Sequence, residues 1–99
     1  MDSTGDMMLT APLWSQDDAV AFESARECLG ELIAILVGQA ATLDAAGRSS
    51  AGLESEILAL AQERDRLSVQ DTNRIAAIRR DYGRRVREHN SAIGHAKAA

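Results

Sequence analysis

Aromatic residues are scarce in this chain: Trp14, Phe22 and Tyr82 are the whole supply, 3% of 99 residues. No aromatic platform on which nucleic-acid bases stack can be built from them. Proline occurs once, at Pro12, so beyond that point no ring interrupts a helix. Cys28 is the only cysteine, which excludes an intramolecular disulfide and a cysteine zinc site. It reads either as a small buried hydrophobe or as half of a disulfide across a symmetric dimer. The two histidines, His89 and His95, cannot share one face of a helix, and no metal set emerges. There is no Gly-rich phosphate loop and no spacing of a serine or cysteine triad, so neither an enzyme nor a cofactor is expected. The first eight residues carry Asp2 and Asp6 but no basic segment and no apolar core, unlike a secretory signal peptide. Synthesis in the cytoplasm is the expectation, with export by a route that reads no such signal left open.

Positive charge is also missing from most of the chain. Residues 1–63 hold Arg26 and Arg48 against eleven acids, whereas residues 64–99 hold nine basic groups against four acids. The net charge of −4 therefore hides a division into an acidic part and a basic part.

What the chain does have is alanine, leucine and a 45% apolar fraction, enough for one small folded domain rich in helix. The greasiest stretch runs from Cys28 to Leu43. On a helical wheel Phe22, Ala25, Leu29, Leu32, Ile33, Leu36, Ala40 and Leu43 form one stripe, widened by Cys28 and Ile35 on one side and Val37 on the other. The apolar arc spans roughly 200°, against about 100–140° for an ordinary surface helix. One partner helix cannot cover that arc, so a second covering surface is needed. Glu31 and Gln39 stop the run well short of the ~20 apolar residues of a membrane span, and none is expected. The opposite face carries Glu23, Glu27 and Glu31, then Gly30, Ala34 and Gly38 at intervals of four, a spacing that lets two backbones approach closely.

In chain order, residues 1–14 read as a flexible leader. Ser15 with Asp18 gives a capping box, outside which Trp14 would stand as a staple, and the first helix is predicted over about 16–46. The turn lies at 47–52, with Gly47 suited to follow a helix end. A second helix is predicted over about 53–93, ended by Gly94, with 95–99 as a tail. Its stripe runs through Leu53, Ile57, Leu60, Leu67, Ile75, Ile78, Tyr82, Val86 and Ile93. Residues 68–73 have poor helix propensity and another capping-box spacing, but the stripe keeps its phase across them, which favours one continuous helix. The fold class that follows is all-α: an antiparallel two-helix hairpin in which residue i meets roughly residue 99 − i. In that register Arg80 lies near Asp18, and Arg74 near Glu23 and Glu27.

The basic run Arg74–Arg87 is the most site-like feature. Arg80, Arg84 and Arg87 share an outward ridge able to meet phosphates, but Asp81 and Glu88 interleave with it, and a solvated face is the plainer reading.

The plan of the whole chain resembles the WXG100 family, secreted helical hairpins with a central turn. Ser50-Ala51-Gly52 sits where that turn belongs, and Leu53, Ile57 and Leu60 follow with the spacing of the family's second helix. The resemblance implies dimerisation and export through a specialised apparatus. The run Ala51–Leu67, with its leucine spacing and late Arg64, is similar to flagellar-type export chaperones, which implies a face that holds a client helix. The shorter run Ile57–Leu67 is similar to the helix of small all-helical chorismate mutases. Arg64 matches their cation, while Arg48 and Arg74 each fall about one residue out of register.

These readings converge on a non-enzymatic module for protein–protein interaction. Its expected interface is Phe22, Leu29, Leu32, Ile33, Ile35, Leu36, Val37 and Leu43, paired with itself in a four-helix bundle or with a second helical protein. A cytoplasmic export chaperone, or an antitoxin-like or scaffold subunit that covers a partner's apolar patch, is the alternative. Nucleic-acid binding through Arg74–Arg87 ranks below both.

Overall fold

The computed structural model describes residues 15–98, and all the regular structure among them is helical. Three helices follow one another: α1 (Gln16–Ala45), α2 (Ala51–Arg66) and α3 (Thr72–Ala98). The expected leader and the Trp14 staple lie outside the described residues.

The start of α1 follows the sequence. The Asp18 N–H donates to the Ser15 hydroxyl and the Ser15 N–H donates back to the Asp18 carboxylate, each at 3.1 Å. Two otherwise orphaned donors are thereby satisfied. At the other end Gly47 adopts φ 71°, a left-handed conformation that costs glycine nothing. There the Gly47 N–H reaches the Asp44 carbonyl at 3.0 Å and the Arg48 N–H reaches the Leu43 carbonyl at 2.8 Å. That pair of bonds is the Schellman arrangement. The Ser50 hydroxyl, in a residue only 5% exposed, donates to the Asp44 carboxylate at 2.8 Å and ties the turn back to α1.

The expected continuous second helix is corrected by the structure. Leu67 turns to an extended conformation (φ −63°, ψ 135°), and a short loop separates α2 from α3. Local chemistry accounts for the break. The Ser68 N–H donates to the Asp71 carboxylate at 2.8 Å, the Asp71 N–H to the Ser68 carbonyl at 3.0 Å, and the Gln70 N–H to the Ser68 hydroxyl. Short polar side chains thus satisfy the backbone groups that a continuing helix would have used. Gly94 does not end α3, which runs on to Ala98. One glycine costs a helix only about 1 kcal/mol, too little by itself to stop it.

The break reverses the chain. Arg74 pairs with Glu63, and Arg85 reaches Glu56 at 2.8 Å, so α3 returns alongside α2. Relative to α1, α2 is antiparallel, with Arg64 over Gly30. In contrast α3 is parallel to α1, with Asp18 level with Thr72, Cys28 with Gly83 and Ile35 with His89. The arrangement is up–down–up, with α1 packed on both of the others, in place of the expected two-helix hairpin. The 99 − i register fails with it, because Arg74 bonds Glu63 rather than Glu23 or Glu27, and Arg80 bonds Asp81 rather than Asp18.

The core is drawn from all three helices: Ala25, Leu29, Leu32 and Leu36 from α1, Leu60 from α2, and Ile75, Ile78 and Val86 from α3. Leu29 and Ile78 are wholly enclosed.

Candidate interaction surface

The eight residues expected at an interface divide into three groups. Leu29, Leu32 and Leu36 are buried within the chain itself, at 0%, 2% and 3% exposure. Phe22, Ile33, Ile35 and Leu43 are half-buried, and Val37 stands 51% exposed. The wide arc of α1 did require two covers, but both belong to this chain: α2 on the Gly30 side and α3 on the Cys28 side. The break at residues 67–71 is what makes the second cover available.

What remains open on α1 is its outer face. Glu23, Glu27 and Glu31 are exposed there and enter no ion pair among the described residues. Farther along, Ala34, Val37, Gly38 and Ala41 present a smooth, uncharged surface. The two glycines of this face differ. A Cβ on Gly30 would lie 3.4 Å from the Arg64 guanidinium, so its smallness serves the α1–α2 seam. A Cβ on Gly38 would meet nothing within 4 Å, so the folded chain makes no use of its smallness. Gly38→Ala is accordingly expected to raise the unfolding free energy by about 0.5–1 kcal/mol in a urea titration followed by circular dichroism. A loss of stability there would mean that the open space is occupied.

The arginines are more engaged than the sequence implied. Arg74 bonds Glu63 and donates to the Tyr82 hydroxyl at 3.2 Å, with its guanidinium over the Tyr82 ring. The hydrogen bond that it donates to Glu63 is the chief reason that the Arg74 guanidinium holds its proton more tightly than usual. Arg80 and Arg84 both meet Asp81 at 3.1 Å. The Asp81 carboxyl falls below its ordinary range, first because of the Arg80 hydrogen bond. Exposed pairs of this kind are worth only about 0–1 kcal/mol and are readily exchanged for others. The ridge Arg80, Arg84 and Arg87 is exposed as expected, with the Arg87 side chain folded back over Gly83.

Gly83 lies where α3 packs against Cys28 of α1. It is buried, and a Cβ there would lie 3.6 Å from the Cys28 sulfur and 3.1 Å from the Arg87 guanidinium. Helical periodicity alone carries no sign of such a seam. The Cys28 thiol is half-buried there and its pKa is raised, first by burial and then by Glu31.

The three cations of the mutase-like reading do not converge. Arg48 lies in the exposed turn, Arg64 rests on Gly30 with its Nε buried and unbonded, and Arg74 is held by Glu63. Among the described residues no group of three or more His, Cys, Asp or Glu side chains is placed to hold a metal.

Leu58, at 60% exposure on the outer side of α2, is an open apolar residue that the predicted interface did not include. By length and composition α1 also passes for a membrane-crossing helix, which stopping the count at Glu31 and Gln39 had concealed. No family model, curated protein or solved structure matches the chain.

Proposed function

We propose that this chain is a non-enzymatic helical module for protein–protein interaction, working through the outer face of α1. One observation carries the reading: on the outer face of α1 Ala34, Val37, Gly38 and Ala41 form an exposed, uncharged strip, with Val37 51% exposed. A strip of small and apolar side chains lets a second helix approach closely and is stabilised when one covers it. The buried side of the same helix, Leu29, Leu32 and Leu36, already belongs to the core, which favours a second polypeptide over a bilayer as that cover.

Export by a WXG100-like route is a narrower form of the proposal, supported by the turn at Ser50-Ala51-Gly52. The fold-back after Leu67 departs from that family's two-helix plan. The chaperone-like form asks the same face to hold a client helix until it is delivered.

Val37→Asp tests the interaction reading. Val37 is half exposed, so the variant is expected to keep wild-type helicity and melting while losing the partner recovered by affinity purification from the native cell. Retention of every specific partner by the variant would refute the assignment. Recovery in the membrane fraction, resistant to salt and lost in the variant, would replace the partner protein with a bilayer.

A further inference from the structure

Two kinds of side chain follow one another on a single strip along the outer side of α1. Glu23, Glu27 and Glu31 come first, then Ala34, Gly38 and Ala41, all exposed except that Gly38 and its neighbours offer almost no side chain. At 100° per residue the six lie within about 80° of arc, over about 27 Å of helix. The strip therefore has an acidic head and a smooth, uncharged tail. The folded chain satisfies neither. Like charges four residues apart repel one another along a helix, and none of the three carboxylates enters an ion pair among the described residues. Arg26 and Arg64 line only the α2 edge of this groove. Arg26 is turned over the Phe22 ring at 5.8 Å, and Arg64 rests on Gly30. In the tail, a Cβ on Gly38 would meet nothing within 4 Å.

We propose that this strip receives a helix of a second protein, basic where it meets Glu23–Glu31 and apolar where it meets Ala34–Ala41. Charge complementarity selects the basic half. Lys or Arg spaced by four on the occupant stand opposite carboxylates spaced by four and relieve their repulsion. Small side chains select the other half. Ala34, Gly38 and Ala41 leave room for Leu or Ile and let the two helix axes approach closely. Gly38, whose missing Cβ the isolated chain leaves unused, then has a reason to be small. Three carboxylates at the head of the strip, on a chain of net charge −4, oppose a nucleic acid or an anionic bilayer in the same place. The assignment rests on the outer face of α1 being the working surface, and adds to it the chemistry of the partner.

The probe is a synthetic helical peptide of about 22 residues, long enough to span the strip. One face carries lysine at every fourth position in the C-terminal half, where it also suits the peptide's own dipole, and leucine in the N-terminal half. Fluorescence anisotropy of the labelled peptide follows its binding to the full chain over about 1 to 100 µM. The wild-type chain is expected to bind it at least about tenfold more tightly than a peptide with glutamate in place of each lysine. Combining Glu23→Lys, Glu27→Lys and Glu31→Lys is expected to invert that preference. Gly38→Gln is expected to keep the fold, since the space there is open, and to weaken binding about tenfold by blocking close approach. Glu88→Lys alters an exposed acid of α3 away from the strip and is expected to leave the affinity unchanged. Circular dichroism confirms that each variant keeps wild-type helicity.

No binding across that range, equal affinity for the two peptides, or full affinity in the triple variant or in Gly38→Gln overturns the proposal. So does a Glu88→Lys chain weakened as much as the triple variant. A wild-type dimer in sedimentation velocity that Gly38→Gln abolishes also overturns it, in favour of a second copy. Co-sedimentation with phosphatidylcholine vesicles that Gly38→Gln abolishes overturns it in favour of a bilayer. The peptide results leave a Val37-dependent partner from the native cell untouched, so failure of the basic occupant is distinguishable from failure of the proposed function.

Discussion

Leu29→Ala is expected to lower the unfolding free energy by about 3–4 kcal/mol, within the range seen when a fully buried leucine is truncated. Leu29 is 0% exposed and belongs to the one cluster that joins all three helices, so no surface loop can close over the space left behind. A domain of this size has only about 5–10 kcal/mol of stability, so the change removes a third or more of it. Urea unfolding followed by far-ultraviolet circular dichroism measures the effect. Leu58→Ala provides the comparison: Leu58 is 60% exposed, and its truncation is expected to cost less than about 0.5 kcal/mol. If the two substitutions shift the midpoint equally, Leu29 is not enclosed by its own chain and the up–down–up packing is wrong. Leu36→Asp falls in the same class as Leu29→Ala. Leu36 is 3% exposed, so a carboxylate there unfolds the chain and reports nothing about partners. Fold and interface are separated only at positions such as Val37.

Much of the architecture was legible in the sequence. Ser15 and Asp18 mark the start of α1 by residue type and spacing, and Gly47 marks its end because only glycine takes a positive φ freely. The core stripe of α1 followed from helical periodicity alone. Direction was not legible. Leu53, Ile57 and Leu60 of α2 and Ile75, Ile78 and Val86 of α3 keep one helical phase across residues 67–71 because both helices bury a face against α1. A phase count records which side faces the core and says nothing about whether the chain has turned round. The signal that did exist was local: Ser68, Gln70 and Asp71 offer the backbone alternative hydrogen bonds, and they prevailed over continuity.

The charge pairing was misread for the same reason. In a two-helix hairpin the arginines of the second helix meet the acids of the first, and the charge division of the sequence looks settled internally. In the folded chain Arg74 and Arg85 take Glu63 and Glu56 of α2 instead. Glu23, Glu27 and Glu31 are left facing solvent, beside a basic ridge they do not reach. Electrostatic steering depends on such fields of separated sign, which set orientation and partner choice more than they set affinity.

Making the α2–α3 loop helix-competent is expected to convert the chain into an elongated, domain-swapped dimer. The variant combines Ser68→Ala, Val69→Glu, Gln70→Ala and Asp71→Lys. An unbroken helix from Ala51 to Ala98 would be about 70 Å long, against about 45 Å for the 30 residues of α1. Within one molecule it covers only one side of α1 and leaves Leu29, Leu32 and Leu36 half bare. A second copy supplies the missing cover by exchanging its own long helix. The substitutions add about 0.3–0.5 kcal/mol of helix propensity per residue and remove the loop hydrogen bonds made by the Asp71 carboxylate and the Ser68 hydroxyl, worth about 1 kcal/mol. Holding the loop bent then costs each chain about 2–3 kcal/mol more than before, roughly a hundredfold in favour of the straight form. The swapped dimer avoids that cost and keeps the core contacts, the usual route by which a strained hinge leads to exchange. Small-angle scattering is expected to show a particle longer than about 70 Å at dimer mass. A compact monomer with wild-type melting would show instead that packing against α1 alone dictates the reversal, and that Ser68 and Asp71 merely accommodate it.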